Sequence, residues 1–287
     1  MRRSPHTIHT ESRRASQDLS RMAAEYQATV LRLARRLMAG QCQPDTVHAI
    51  RAHCRRLQAL QELCGDDERA VVMAQSVRRL SKLRASQVFH QYLGKIKAPQ
   101  TDIDALDAWI MQKEHKLRDA EAYRQIEQAV WKHALPSSTQ LNHSVKDKLE
   151  VLRHVHEKNL ACLISAASEK PRRKRLHALR LALKTIRYQT EWLPGRPGPK
   201  EALVKRIKQV QAVLGRFEEL ADFRQWGKQL GLTVRVRIQK DWKRARKRAR
   251  AIPAELTWLV DALASGNVWI GVDKKRTLLG REGVRTI

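Results

Sequence analysis

The sequence predicts an all-α protein arranged as two antiparallel four-helix bundles, on the strength of three observations. Apolar residues recur at the helical period of about 3.6 residues along almost the whole chain. Gly, Pro and Asp punctuate that pattern into about eight segments with short connections, which makes consecutive helices antiparallel neighbours. A short stretch then repeats, one copy in the second segment of each half.

Residues 1–17 carry Arg2, Arg3, Arg13 and Arg14 among Ser, Thr and His without an amphipathic pattern, and read as a basic, disordered tail. Helix cores follow near 18–39, 45–64, 67–93 and 101–134, then near 139–169, 172–193, 200–230 and 235–261. Gly40 suits a C-cap, Pro44 and Asp45 a helix start, and Leu193-Pro194-Gly195 a hard stop. The segment from Ala134 to Thr139 divides the helices four and four, giving bundles over 18–135 and 136–261. Strand-like alternation is confined to Val234–Ile238, which reads as the start of the last helix. Residues 262–287, with Gly266, Gly271, Gly280 and Gly283, form a C-terminal extension to which the pattern assigns no role.

The 287 residues include 57 Lys plus Arg against 29 Asp plus Glu, a formal charge of +28. A hydrophobic fraction of 42% is ordinary for a globular chain, so that charge lies on top of a core rather than in place of one. Self-repulsion on this scale favours an anionic partner. Nucleic acid, an anionic membrane surface and polyphosphate all qualify, because each releases counterions when bound. Cys42, Cys54, Cys64 and Cys162 include no Cys-x-x-Cys pair, so reduced, structural thiols are expected rather than a disulfide framework or a zinc knuckle. No run of about 18 apolar residues is available to span a bilayer, and residues 1–6 lack an apolar secretion signal. A cytoplasmic location is the expectation.

The repeat places the charge. His-Ala-Ile-Arg-Ala-His-Cys-Arg-Arg-Leu from His48 returns from His177 as His-Ala-Leu-Arg-Leu-Ala-Leu-Lys-Thr-Ile. On a helix, His177, Arg180, Lys184 and Arg187 share one narrow stripe roughly 15 Å long, opposite Leu176, Leu179, Leu183 and Ile186. His48, Arg51 and Arg55 form the equivalent row, flanked by Arg56. An ordinary solvated helix face mixes signs at i to i+4 spacing, yet no acid occurs between Thr46 and Gln61 or between Pro171 and Thr190. Arginine forks engage two phosphate oxygens at once, lysine adds a movable point charge, and histidine a donor or a proton.

His-x-x-Arg-x-x-x-Arg-Arg from His48 and Leu-His-x-Leu-Arg-x-x-Leu-Lys-x-x-Arg-Tyr from Leu176 resemble the two signatures of the CHAD family, the conserved histidine alpha-helical domain. Leu80 to Val88 and Gln211 to Glu219 resemble two further segments of that family, in the same order, so the resemblance covers about residues 18–250. It implies pseudo-twofold symmetry between the bundles, with the two basic helices lining a shared central groove or pore. It also implies binding of inorganic polyphosphate and association with polyphosphate granules. By position, the contact candidates are His48, Arg51, Arg55, Arg56, Arg84, His177, Arg180, Lys184, Arg187 and Lys208. Gln58 and Thr185 replace arginines of the family pattern, and Ala85 and Gln87 replace acids, so the first-half signature is the thinner one.

A further basic stretch, Arg235 to Arg250, has Asp241 as its only acid and divides between ligand contact and a merely solvated face. General RNA or DNA binding is therefore the alternative function, although no familiar nucleic-acid signature occurs. Trp109, Trp131, Trp192, Trp226, Trp258 and Trp269 are too dispersed for a stacking platform and suit core packing, as does Trp242. No nucleophile with its base, P-loop, HExxH or Glu-x-Glu-x-Lys motif is present, and His154 and His156 point to different helix faces. The expectation is a binding protein without enzymatic activity, cofactor or metal.

Overall fold

A computed structural model describes residues 5–41, 43–119, 126–127, 138–192 and 199–264. The described residues are helical throughout and contain no strand. The helices are α1 (Pro5–Met38), α2 (Pro44–Cys64), α3 (Asp67–Arg79), α4 (Ser81–Lys95), α5 (Gln100–Asp119), α6 (Ser138–Glu169), α7 (Arg173–Trp192), α8 (Pro199–Gln229) and α9 (Arg235–Ala251). A 3₁₀ turn (Ile252–Leu256) leads from α9 into α10 (Thr257–Ala264).

Two boundaries depart from the sequence reading. Residues 5–17, read as a tail, extend α1 toward the N-terminus. Pro5 stands at the first helical position, where its missing N–H costs nothing, and Glu11, Arg13, Arg14 and Ala15 are good helix formers. The single helix read over 67–93 is two, because Leu80 sits at φ −83°, ψ 0° between α3 and α4. The strand-like fragment at Val234–Ile238 leads directly into α9. Of the helix read over 101–134, only the part to Asp119 and residues Ile126 and Glu127 are described; residues 1–4 and 265–287 also lie outside the described residues.

Local chemistry sets the ends. Gly40 adopts φ 79° and Gly65 φ 73°, the left-handed conformation that closes α1 and α2 without a Cβ penalty. Pro44 takes the first turn of α2, and the Asp66 carboxylate caps α3 by accepting from Arg69 N.

Two apolar cores hold the helices. The smaller joins Val30 and Leu37 of α1, Val47 and Ile50 of α2, Met73 and Val77 of α3, and Ile126. The larger draws on both halves of the chain, packing Leu60 and Leu63 of α2 and Phe89 and Leu93 of α4 with Leu179 and Leu183 of α7, Phe217 and Phe223 of α8, and Leu256 and Leu259 at the C-terminal end. Each such side chain, taken from water, contributes about 1.5–3 kcal/mol. As a result α2 packs against α1, α3, α4, α6 and α7, and the two helices that carry the repeat meet.

Candidate functional site

On α2 the apolar row Val47, Ile50, Cys54 and Leu57 is buried, which turns the alternate stripe toward α7 and α4. The first member of that stripe, His48, is exposed at the surface, and partial desolvation together with the Arg84 charge lowers its basicity. Arg51, one turn on, is half-buried. Its Nη1 donates to the Val77 carbonyl and to Ser81 Oγ, at 2.7 Å for the latter. Both acceptors flank the break at Leu80, so the split between α3 and α4 supplies the oxygens that orient Arg51. Arg55 lies half-buried a turn further along, and Arg56 leaves the stripe: its Nε donates to Glu191 Oε2 at 3.0 Å, and its guanidinium lies 5.3 Å from the Tyr26 ring.

On α7 the buried row is Leu176, Leu179, Leu183 and Ile186, and the opposite stripe is His177, Arg180, Lys184 and Arg187. His177 is exposed, with Nδ1 3.4 Å from Glu218 Oε2 on α8. Burial alone would raise the Glu218 carboxyl, but hydrogen bonds from His177 and Arg173 outweigh it and hold the group below its ordinary value. The Arg180 guanidinium rests against α8 at Gly215, where a Cβ would stand 3.5 Å from Nε and Nη2. Its buried Nε makes no hydrogen bond with any described residue, and neither does that of Arg187. Arg187 stacks on Tyr188 at 4.2 Å and reaches Glu191 Oε1 at 3.8 Å.

The two rows meet at Arg51 and Arg55 on one side and Arg180 and Lys184 on the other. Burial, reinforced by Arg180, Arg55, Arg51 and Arg187, pushes the Lys184 ammonium down to about 6. Burial with Arg55, Arg84 and Arg180 pushes Arg51 down to about 10, and burial with Arg180 also lowers Arg55. Crowded, partly desolvated cations of one sign are costly in the absence of an anion, and every such shift relaxes when one arrives. Arg84 on α4 joins the group: its Nη1 donates to the Pro44 carbonyl at 3.3 Å, and burial lowers its basicity.

Several partners of the rows come from elsewhere in the chain and have no local signal. The stretches 46–61 and 171–190 that carry the rows are free of acids, yet α8 brings Glu218 to His177 and Glu219 among Arg216, Arg180, Arg84 and Lys184. Burial dominates at Glu219 and raises its carboxyl despite those cations. Glu191, between Arg56 and Arg187, closes the far end, beside a buried polar chain in which Gln58 and Gln189 donate to Glu62 and Gln189 Oε1 meets His156 Nε2. The sequence signal that finds Glu219 is the segment Gln211 to Glu219 itself. Tyr188, which stacks on Arg187, is the last residue of the motif that begins at Leu176; Tyr26, which faces Arg56, carries no signal.

Lys208 stands apart from the convergent group. It is exposed and lines an open depression with Glu191, Lys200, Glu201, Val204 and Lys205. Trp192 is buried and donates from Nε1 to the Arg56 carbonyl at 2.7 Å; Trp109 and Trp226 pack together with ring centroids 5.1 Å apart, while Trp131 and Trp269 lie outside the described residues. His154 faces Glu157 and His156 faces Gln189, and among the described residues no group of three or more His, Cys, Asp or Glu could hold a metal ion. Cys54 and Cys162 are free thiols, Cys54 with its thiol pushed up to about 12 by burial. Among the described residues no helix is long and apolar enough to cross a membrane.

Comparison with protein families gives one match, to the model described as CHAD domain, over residues 21–228. No curated protein matches the chain.

Proposed function

The chain belongs to the CHAD domain family, and from that premise we propose that it binds inorganic polyphosphate between the basic rows of α2 and α7 without turning it over. The observation that carries this reading is the meeting of Arg51 and Arg55 with Arg180 and Lys184, half-buried cations among which burial and the Arg180 charge lower the basicity of Arg51, Arg55 and Lys184. A chain of phosphates, one charge or more per unit and no bases, neutralises such a row continuously. Arg84, Arg187 and the two histidines flank the same track; Arg56 and Lys208 bind at its margin, beyond Glu191.

The arrangement proposed with it is the pair of antiparallel four-helix bundles, related by pseudo-twofold symmetry, that face each other across this groove. Its support is the repeat: Arg51 and Arg55 stand to His48 as Arg180 and Lys184 stand to His177, and the helices that carry them pack together. Association with polyphosphate granules in the cytoplasm belongs to the same proposal.

Nucleic-acid binding is the competing reading, favoured by the exposed cations of α9. Competition separates them. Long-chain polyphosphate displaces single-stranded RNA from the protein far more effectively than RNA displaces polyphosphate if the groove fits a thin, base-free polymer; the reverse order assigns the site to RNA. Phosphate release from polyphosphate or nucleoside triphosphate with a divalent metal would make the protein an enzyme and overturn the binding-only reading.

A further inference from the structure

Helix α9 lies beyond the family match and divides cleanly lengthwise. Ile238, Ala245 and Ala249 are buried, and Trp242 packs against Phe217 of α8. The opposite half carries Arg237, Lys240, Lys243, Arg244, Lys247 and Arg250, all exposed, along about 20 Å of helix. The one acid of the helix is turned inward: Asp241 Oδ2 accepts from Tyr92 Oη at 2.9 Å, and its carboxylate also faces Arg237 and Arg244 at 3.7 and 3.8 Å. Arg246 is withdrawn too, lying with Arg224 against the Trp242 ring. Lys240, Lys243 and Lys247 form no hydrogen bond or ion pair with any described residue, so like charges stack at i+3 and i+4 spacing along this face.

This face is joined to the central group. Arg216 of α8 reaches Glu219 at 3.8 Å, and Glu219 lies within the field of Arg84, Arg180 and Lys184. On its other side the Arg216 guanidinium lies 4.7 Å over the Tyr92 ring, whose hydroxyl holds Asp241 at the root of the α9 face. Cations thus continue from the groove, over Arg216, onto α9.

We propose that the exposed face of α9 is a second binding track for the same polyanion, taking up the part of a long polyphosphate chain that leaves the central groove over Arg216. The inference rests on polyphosphate as the ligand of the groove, and it makes chain length the quantity that α9 reads. A short chain fills the groove alone; a long one gains contacts on α9 that are intramolecular once the groove is occupied.

The test compares the full chain with the variant Lys240→Gln, Lys243→Gln, Lys247→Gln and with a control of equal net charge, Arg32→Gln, Arg36→Gln, Lys158→Gln, all at exposed positions. Tripolyphosphate and long-chain polyphosphate are titrated into each across a range of salt. The α9 variant is expected to bind long chains about tenfold more weakly than the control, with the slope of log K against log salt smaller by about 2, since each lost contact removes about 0.7. Tripolyphosphate binding stays equal in all three. Long-chain affinity and slope equal to the control would overturn the second track and leave the groove standing, whereas a wild-type protein that binds neither polymer removes both. A variant that loses single-stranded RNA but keeps long-chain polyphosphate would make the face a nucleic-acid surface and also overturn the inference.

Discussion

The Arg180 guanidinium lies flat against Gly215, the one place on α8 where the helix backbone carries no side chain toward α7; a Cβ there would stand 3.5 Å from two guanidinium nitrogens. That separation is ordinary van der Waals contact, so a methyl group fits, while a long branched side chain would press on the guanidinium. Gly215→Ala is expected to leave polyphosphate affinity within about twofold and, by removing a helix-interior glycine, to stabilise the fold by about 0.5–1 kcal/mol in denaturant melts. Gly215→Leu displaces Arg180 and is expected to weaken binding about tenfold, which is about 1.4 kcal/mol. Equal affinity for Gly215→Leu and wild type would remove Arg180 from the contact set.

Lys184 gives the site a pH dependence of definite sign. It faces Arg180 and Arg187 on its own helix, Arg51 and Arg55 on α2, and Glu219 on α8, and it titrates near 6 in the ligand-free protein. A bound polyanion restores its charge, so binding takes up a proton above pH 6, and affinity falls as pH rises, by up to about tenfold per unit for one linked proton. Lys184→Arg is expected to flatten that slope. Calorimetry in buffers of different ionisation enthalpy reads the proton directly, and a buffer-independent enthalpy at pH 8 would contradict it.

The same residue costs stability in the empty protein. Unfolded, Lys184 stays protonated up to its ordinary value of 10.5; folded, it does so only below about 6. The unfolded state therefore binds more protons between those limits, and ligand-free stability rises with pH across that window. Lys184→Met, which keeps the stem and drops the charge, is expected to raise ligand-free stability at pH 7 by about 1–3 kcal/mol while weakening polyphosphate binding. Denaturant midpoints at pH 7 and 9 check both signs.

Glu191 occupies cations that the ligand would otherwise use. Its Oε2 accepts from Arg56 at 3.0 Å and its Oε1 lies 3.8 Å from Arg187. Glu191→Gln is expected to tighten polyphosphate binding about threefold to tenfold and to lower stability by about 1–3 kcal/mol through the loss of a partly buried pair. Titration and thermal melts of the one variant read both effects, and weaker binding would show that Glu191 orients the arginines rather than competing for them.

α9 is positioned by a buried carboxylate. Asp102 of α5 accepts from Thr233 N at 3.0 Å, Thr233 Oγ1 at 3.0 Å and Val234 N at 3.1 Å, tying the start of α5 to the turn that launches α9. Asp102→Ala leaves three donors unpaired and is expected to destabilise the protein by about 2–4 kcal/mol in denaturant melts. If α9 is the second track, long-chain binding suffers more than tripolyphosphate binding in the same variant.

What the sequence made legible follows from what is local. The helical class, the α2 and α7 rows and their repeat depend on side chains three or four residues apart, which periodicity reports directly. The break at Leu80 is hidden, because Leu is a good helix former and the groups that meet there, Arg51 with Val77 and Ser81, lie 26 and 30 places apart in the sequence. Glu218 and Glu219 close the segment Gln211 to Glu219, but their partners His177 and Arg180 become visible only when the fold lays α8 against α7. Lys208 shares a wheel face with Glu219 but stands about three turns earlier on α8, where it meets Glu191 and Lys200 instead of the convergent group: position on a wheel predicts the face, and only packing says which neighbour the face meets.

Whether the polyanion lies between α2 and α7 is decided by titrating long-chain polyphosphate into the wild-type protein and into the triple variant Arg55→Gln, Arg180→Gln, Lys184→Gln, with circular dichroism confirming that the variant keeps its helices. Affinity is expected to fall about a hundredfold or more at physiological ionic strength, and the salt slope to shrink by about 2. Unchanged affinity and slope in a folded triple variant would contradict the account and place the polyanion elsewhere on the molecule.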